Sequence, residues 1–324
     1  MDVISMLKQR IKGKNLTIVF PEGEDARVLG AATRHQRDGF LRPIVLGNLE
    51  EIEKTAQENG FALTGLEIIE PEKYRDYQLL VDKFVECRKG KVTAEQAYEQ
   101  LKNPNYFATM LVYLDRASGM VSGAVGTTGD TIRPALQILK TKPGMKLVSG
   151  AMVMIGPNDQ RYLFADTAVN INPSAEDLAE IANAAAETAK GFEIDPKVAM
   201  LSFSTMGSAH SPEQEKVAEA TKIAKERFPE LVVDGELQFD AALIPVVGAR
   251  KAPNSPVAGH ARVFVFPDLQ SGNIGYKISE RLGGFEALGP ILQGIAKPVN
   301  DLSRGCSEED AYKLAIITAA SALA

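Results

Sequence analysis

The feature that most narrows the possible folds is an alternation of short apolar runs with stretches of helical periodicity. Leu16-Thr17-Ile18-Val19-Phe20 reads as a strand, residues 24–37 as a helix, 43–46 as a second strand and 49–59 as a second helix. Parallel strands need long crossovers, usually helices, so this pattern predicts a parallel sheet with helices on its faces. Residues 77–114 are helical in pattern, broken at Gly90 and at Asn103-Pro104, because proline disfavours helical geometry in the residue before it. Residues 119–125 return to strand character, 130–140 to helix, and 146–155 to strand after Pro143-Gly144. The second half repeats the alternation. Residues 198–203 and 262–266 are apolar runs suited to strands buried on both faces. Ser174 and Ser211 precede apolar-periodic stretches as N-caps, Pro212 takes the first helical position of its stretch, and residues 307–323 close the chain as a helix.

At 324 residues the chain is long for one core and favours two domains. With 45% hydrophobic and 24% charged residues it has the balance of a folded protein. A formal net charge of −6 argues against a broad electrostatic grip on nucleic acid or an anionic membrane, so an anionic ligand must be held locally. No apolar run reaches the roughly 18 residues of a membrane span, and the amino terminus lacks a basic segment followed by an apolar one. The expected location is cytoplasmic. Two cysteines, Cys87 and Cys306, and three scattered histidines form no ligand spacing, so neither a disulfide scaffold nor a metal site is expected.

Three strand-to-helix turns carry candidate chemistry. Gly123-Ala124-Val125-Gly126-Thr127-Thr128-Gly129-Asp130 leads into a helix bearing Thr131 and Arg133, and offers free N–H groups and a helix dipole to an anion. It matches neither the dinucleotide fingerprint nor the P-loop. Capping of that helix by Thr or Asp explains the same residues. The second turn, Asp301-Leu302-Ser303-Arg304-Gly305-Cys306-Ser307, provides a hydroxyl, a guanidinium suited to phosphate and a glycine that lets a ligand approach. Asp310 beyond it is a possible base, or one half of a capping box with Ser307. The third, residues 264–275, reads as a ligand-side turn or as helix capping by Ser271 and Asn273. On helical patterning alone, Arg27 and Arg88 are solvated surface residues.

Taken together, Asn300 to Cys306, Pro267-Asp268-Leu269, Asp234-Gly235-Glu236-Leu237-Gln238, residues 199–205 and Asp130-Thr131-Ile132-Arg133-Pro134-Ala135 resemble the phosphate acetyltransferases. The resemblance extends from Pro21-Glu22-Gly23-Glu24-Asp25 to the last helix. It implies a reversible acyltransferase acting on coenzyme A and inorganic phosphate, with coenzyme A as a substrate, no permanently bound cofactor and no metal in the reaction. The implied architecture is similar to the isocitrate and isopropylmalate dehydrogenases: two α/β domains flank a cleft and molecules pair as homodimers. One domain then comprises residues 1–145 with 297–324. The other, residues 146–296, carries the dimer contact. Ser303, Arg304 and Asp310 match the family's catalytic serine, arginine and aspartate. Arg88 and Arg133 match arginines implicated in coenzyme A binding, Arg27 matches a further cleft arginine, and Thr128 and Thr131 join the candidate binding set.

The chain also departs from that family's pattern. Gly126 stands where relatives commonly have histidine, and Met206 and His210 flank Gly207-Ser208-Ala209 where relatives often carry lysines. Three other readings compete: a phosphate butyryltransferase, a metal- and NAD-dependent dehydrogenase lacking its acidic ligand set here, and a non-catalytic coenzyme A-binding protein. A covalent route through Cys306 is the rival mechanism.

Overall fold

Residues 2–323 are described by a computed structural model, so residues 1 and 324, the ends of the expected first domain, lie outside the described residues. The chain begins with α1 (Val3–Ile11), β1 (Thr17–Phe20), α2 (Ala26–Asp38), β2 (Arg42–Leu46), α3 (Leu49–Asn59) and β3 (Glu67–Ile69). Three consecutive helices follow, α4 (Tyr77–Arg88), α5 (Ala94–Gln100) and α6 (Pro104–Tyr113), then β4 (Gly119–Ser122) and α7 (Thr128–Ile138). The middle of the chain holds β5 (Ser149–Ile155), β6 (Arg161–Ala165), α8 (Ala175–Gly191), β7 (Val198–Leu201), α9 (Pro212–Arg227) and β8 (Val233–Leu237). It continues with α10 (Phe239–Leu243), α11 (Pro245–Lys251), β9 (Val263–Val265), α12 (Leu269–Arg281) and β10 (Glu286–Gln293), and the chain closes with β11 (Val299–Asp301) and α13 (Glu308–Ser321).

Local chemistry sets most of these boundaries. Asp25 caps α2 by accepting from the N–H groups of Arg27 and Val28, and Gly39 ends it in the left-handed region. Asn103 caps α6 and Pro104 occupies its first position, which is why the helical stretch divides there. Asp268, rather than Ser271 or Asn273, caps α12: its carboxylate accepts from the Ser271 N–H at 2.8 Å.

Two compact units result, Met1–Pro143 with Ile295–Ala324 and Gly144–Gly294. The first holds a five-stranded sheet in the order β11-β4-β1-β2-β3, parallel at every pairing. Strand order reverses beside β1, since β2 pairs on one side of it and β4 on the other, and in open α/β sheets such a switch point marks where ligands bind beyond the carboxyl ends of the strands. Helix α13 is buried over most of its surface by Ala311, Tyr312, Leu314, Ala315, Ile316, Ile317 and Ala319, and packs against α1, α2 and β4.

The second unit holds a six-stranded sheet, β10-β5-β6-β9-β7-β8. Its core joins Met154, Phe164, Ala199, Leu237 and Phe264. Only β6, β9, β7 and β8 run parallel; β5 is antiparallel to both neighbours. Continued parallel alternation therefore fails here. A connection of only residues 156–160 joins β5 to β6, too short for a crossover and suited to a hairpin.

Candidate active site

The loops after β1, β4 and β11 meet at the switch point of the first sheet. The Glu22 carboxylate, just beyond β1, accepts four backbone N–H groups from the loop after β4: Gly123 (2.9 Å) and Ala124 (2.8 Å) on Oε2, Val125 (3.0 Å) and Gly126 (3.1 Å) on Oε1. The anion-binding turn read from the sequence is real, but its donors are satisfied by the protein's own carboxylate. Gly123 adopts φ +108°, and a side chain there would collide with the Asp301 carboxylate and the Leu302 backbone. At Gly126, by contrast, an added Cβ meets neighbours no nearer than 3.5 Å, so the space that a histidine stem would need is present.

Arg27 ties the same loops together. Its Nε and Nη2 donate to Asp25, Nη2 also to the Ala124 carbonyl (2.8 Å), and Nη1 to the carbonyls of Arg304 (2.7 Å) and Cys306 (3.1 Å). Five hydrogen bonds use every donor a guanidinium has.

Along β11 and its loop, alternate tasks fall to successive residues. Asn300 donates to Thr318 on α13 and is buried. Asp301 is buried too, accepting the Thr131 hydroxyl at 2.7 Å; burial outweighs the nearby threonine hydroxyls and pushes its carboxyl up to about 6. Ser303 and Arg304 are exposed. Ser303 Oγ accepts the Gly305 N–H (3.2 Å), which leaves its hydroxyl proton free to donate. The Arg304 guanidinium makes no hydrogen bond or ion pair with any described residue.

Asp310 closes the capping box of α13: its Oδ2 accepts the Ser307 N–H (2.8 Å) and hydroxyl (2.9 Å), while Ser307 Oγ accepts the Asp310 N–H (3.2 Å). Only one carboxylate oxygen is used. The neighbouring acids Glu308 and Glu309 both pair with Arg34, so Asp310 is the one acid of that first turn without an ion pair among the described residues.

Arg88 and Arg133 come together on a different part of the same unit. Arg88, at the end of α4, donates to the Gln137 carbonyl (3.1 Å), and its buried Nε has no partner. Arg133, on α7, is exposed and makes no ion pair with any described residue. Both cations lower the pKa of Tyr106, although burial raises it on balance, and the Tyr106 hydroxyl donates to Gln137. Two other side chains expected to bind substrate are occupied inside the protein, Arg27 fully and Thr131 buried on Asp301, while Thr128 is half-buried at the start of α7 near the same carboxylate. Cys306 is buried and burial pushes its thiol up to about 11, the wrong direction for a nucleophile at neutral pH.

Sequence reading missed Glu22 and the task of Asp301. Glu22 carried a signal in its place one residue after Pro21 at a strand end; Asp301 stood inside the motif as though all its polar residues faced ligand. Near Gly207, Met206 and His210 are exposed, and the turn is held by Glu236, which accepts the Ser204 hydroxyl (2.8 Å) and the Gly207 N–H (2.7 Å). No cluster of His, Cys, Asp or Glu among the described residues could hold a metal, and no helix among them is long and apolar enough to cross a membrane.

A doubly wound α/β unit that presents an unpaired arginine, a hydroxyl donor and a half-free carboxylate beyond its strand ends is the framework of an enzyme acting on an anionic substrate. A sequence profile described as phosphate acetyl/butaryl transferase matches residues 2–319. The chain is 56% identical, over 99% of both lengths, to the phosphate acetyltransferase of Bacillus subtilis strain 168. A crystal structure of a phosphotransacetylase from Streptococcus pyogenes is 58% identical and superposes with a TM-score of 0.95, covering 99% of this chain and 98% of that one. A Salmonella typhimurium chain whose description names a 4-hydroxythreonine-4-phosphate dehydrogenase shares the fold at a TM-score of 0.53 and 14% identity, covering 96% of this chain and 100% of its own. The chain belongs to the phosphate acetyl/butaryl transferase family.

Proposed function

We propose that this protein transfers an acetyl group reversibly between coenzyme A and inorganic phosphate, giving acetyl phosphate and free coenzyme A. The observation that carries the reading is full-length identity to a relative named for that reaction. The uncommitted Arg304, Ser303 and Asp310 Oδ1 supply the chemistry it needs. Phosphate butyryltransferase, the alternative, has no observation in its favour.

The transfer is direct. In the direction of acetyl-CoA synthesis, Asp310 Oδ1 takes the thiol proton and the sulfur electron pair forms a bond to the acetyl carbon. The carbon–oxygen bond to phosphate then breaks, and the phosphate leaves with that pair. Arg304 holds the phosphate, and Ser303 donates to the oxygen that becomes negative in the tetrahedral transition state. Between an ordinary carboxylate and an ordinary thiol the pKa gap of about 4.6 units opposes complete proton transfer by about 6 kcal/mol. Proton removal is therefore coupled to carbon–sulfur bond formation. Arg88 and Arg133 take the anionic groups of coenzyme A.

Two further elements belong to this reading. The protein acts in the cytoplasm, and it pairs as a homodimer through the unit around residues 146–296. Ile274 and Ile278 on α12 and Leu282 just beyond its end form an apolar stripe, 85% exposed at Leu282, which a second copy would cover. The mechanism is tested by mixing enzyme with acetyl-CoA and phosphate and quenching early. Acetyl phosphate should form with no acetylated protein, and Cys306→Ala should keep its turnover; an acetyl-enzyme lost in Cys306→Ala would overturn direct transfer.

A further inference from the structure

We infer that Glu22 and Arg27 are positioning residues that together set the backbone of the Ser303–Arg304 segment, and that Arg27 does not hold substrate. This rests on the acetyl-transfer reading above. Glu22 gathers four N–H groups, so the loop after β4 is wrapped around a single carboxylate. Arg27 then reaches a carbonyl of that wrapped loop, Ala124, and two carbonyls of the loop after β11, those of Arg304 and Cys306. The Ala124 carbonyl of one loop and the Arg304 carbonyl of the other are both fixed by one planar cation. Asp25 aims that cation by pairing with its Nε and Nη2 edge at 3.0 and 2.8 Å.

The Leu302 N–H donates to the Ser122 carbonyl at 2.6 Å, which anchors the β11 end of the segment to β4. Beyond that bond, the Arg304 and Cys306 carbonyls are held by Arg27, while the Ser303 carbonyl accepts from the Cys306 N–H (2.9 Å). Removing the brace leaves Ser303 and Arg304 intact and moves the backbone that aims them. A displacement near 1 Å at reacting groups costs about 100-fold in rate. The proposed contacts of coenzyme A with Arg88 and Arg133 are untouched, so its binding should change little.

Steady-state kinetics on Arg27→Lys and Glu22→Gln separate the two roles. Lysine offers a point charge in place of a five-donor fork, and glutamine brings an N–H₂ group into a ring of N–H donors. Both variants should lose about 100-fold in kcat, with the KM for coenzyme A within about twofold of the parent. A tenfold rise in the KM for phosphate or for coenzyme A at preserved kcat would assign Arg27 to ligand binding and overturn the inference, as would unchanged kinetics in both variants. Loss of the folded circular-dichroism spectrum in both would assign them to architecture alone and also overturn it; if only one unfolds, the other decides by the same criteria. An unmodified protein that fails to make acetyl phosphate would instead sink the functional reading, an outcome separate from any of these.

Discussion

At the scale of single residues, one oxygen of the Asp310 carboxylate caps a helix and the other is left for the proposed proton transfer. Asp310 Oδ2 serves α13 and Oδ1 takes no hydrogen bond from a described residue. Asn at this position can keep the cap through its side-chain oxygen but cannot take a proton. Asp310→Asn should therefore lower kcat by roughly 10² to 10⁴ with little change in melting temperature or KM. Arg304→Lys removes the bidentate fork, and rapid-equilibrium kinetics should show a raised KM for phosphate as well as a lowered kcat. Asp301 carries a pH signature in stability instead. Its carboxyl is raised from 3.8 to about 6 by burial, so the folded protein keeps a proton that the unfolded chain has lost. The resulting stabilisation is complete below about pH 4, and is lost as pH rises through about 6, a change on the order of 3 kcal/mol. Urea denaturation at several pH values should show that slope, and Asp301→Asn should flatten it.

At the scale of elements, the sequence was most legible where one residue settles a boundary. Ser174, Ser211 and Ser307 cap their helices as their spacing predicts, and Asn103-Pro104 divides the helical stretch before α6. Strands β1 and β7 announce themselves as apolar runs. Less legible were β6, whose hairpin depends on a five-residue connection, and β11, whose Asn300 and Asp301 are polar yet buried where Thr318 and Thr131 hydrogen-bond to them. Such a strand has no apolar pattern to read. Ser303, Arg304 and Asp310 were identified through family resemblance, while the saturation of Arg27 depends on carbonyls nearly 280 positions away, which no local pattern encodes. Gly123 shows how tightly the two loops are set: Gly123→Ala meets both a positive φ and the backbone of Leu302, and should destabilise the protein by about 2 kcal/mol or more in denaturant titrations.

At the scale of the whole molecule, a chain of net charge −6 that handles phosphate and coenzyme A must attract anions through a few uncommitted cations. Arg34 is spent on Glu308 and Glu309, and Arg27 on loop carbonyls, whereas Arg304 and Arg133 make no ion pair with a described residue. The proposed homodimer makes its own prediction. Leu282→Glu should turn a dimer into a monomer in light scattering if α12 forms the contact, and leave the mass unchanged if it does not. Acetyl transfer to phosphate is decided by thiol release from acetyl-CoA and from butyryl-CoA, each with and without phosphate. Release from acetyl-CoA should be rapid only when phosphate is present, and release from butyryl-CoA much slower. Release that ignores phosphate, or that favours butyryl-CoA, would contradict it.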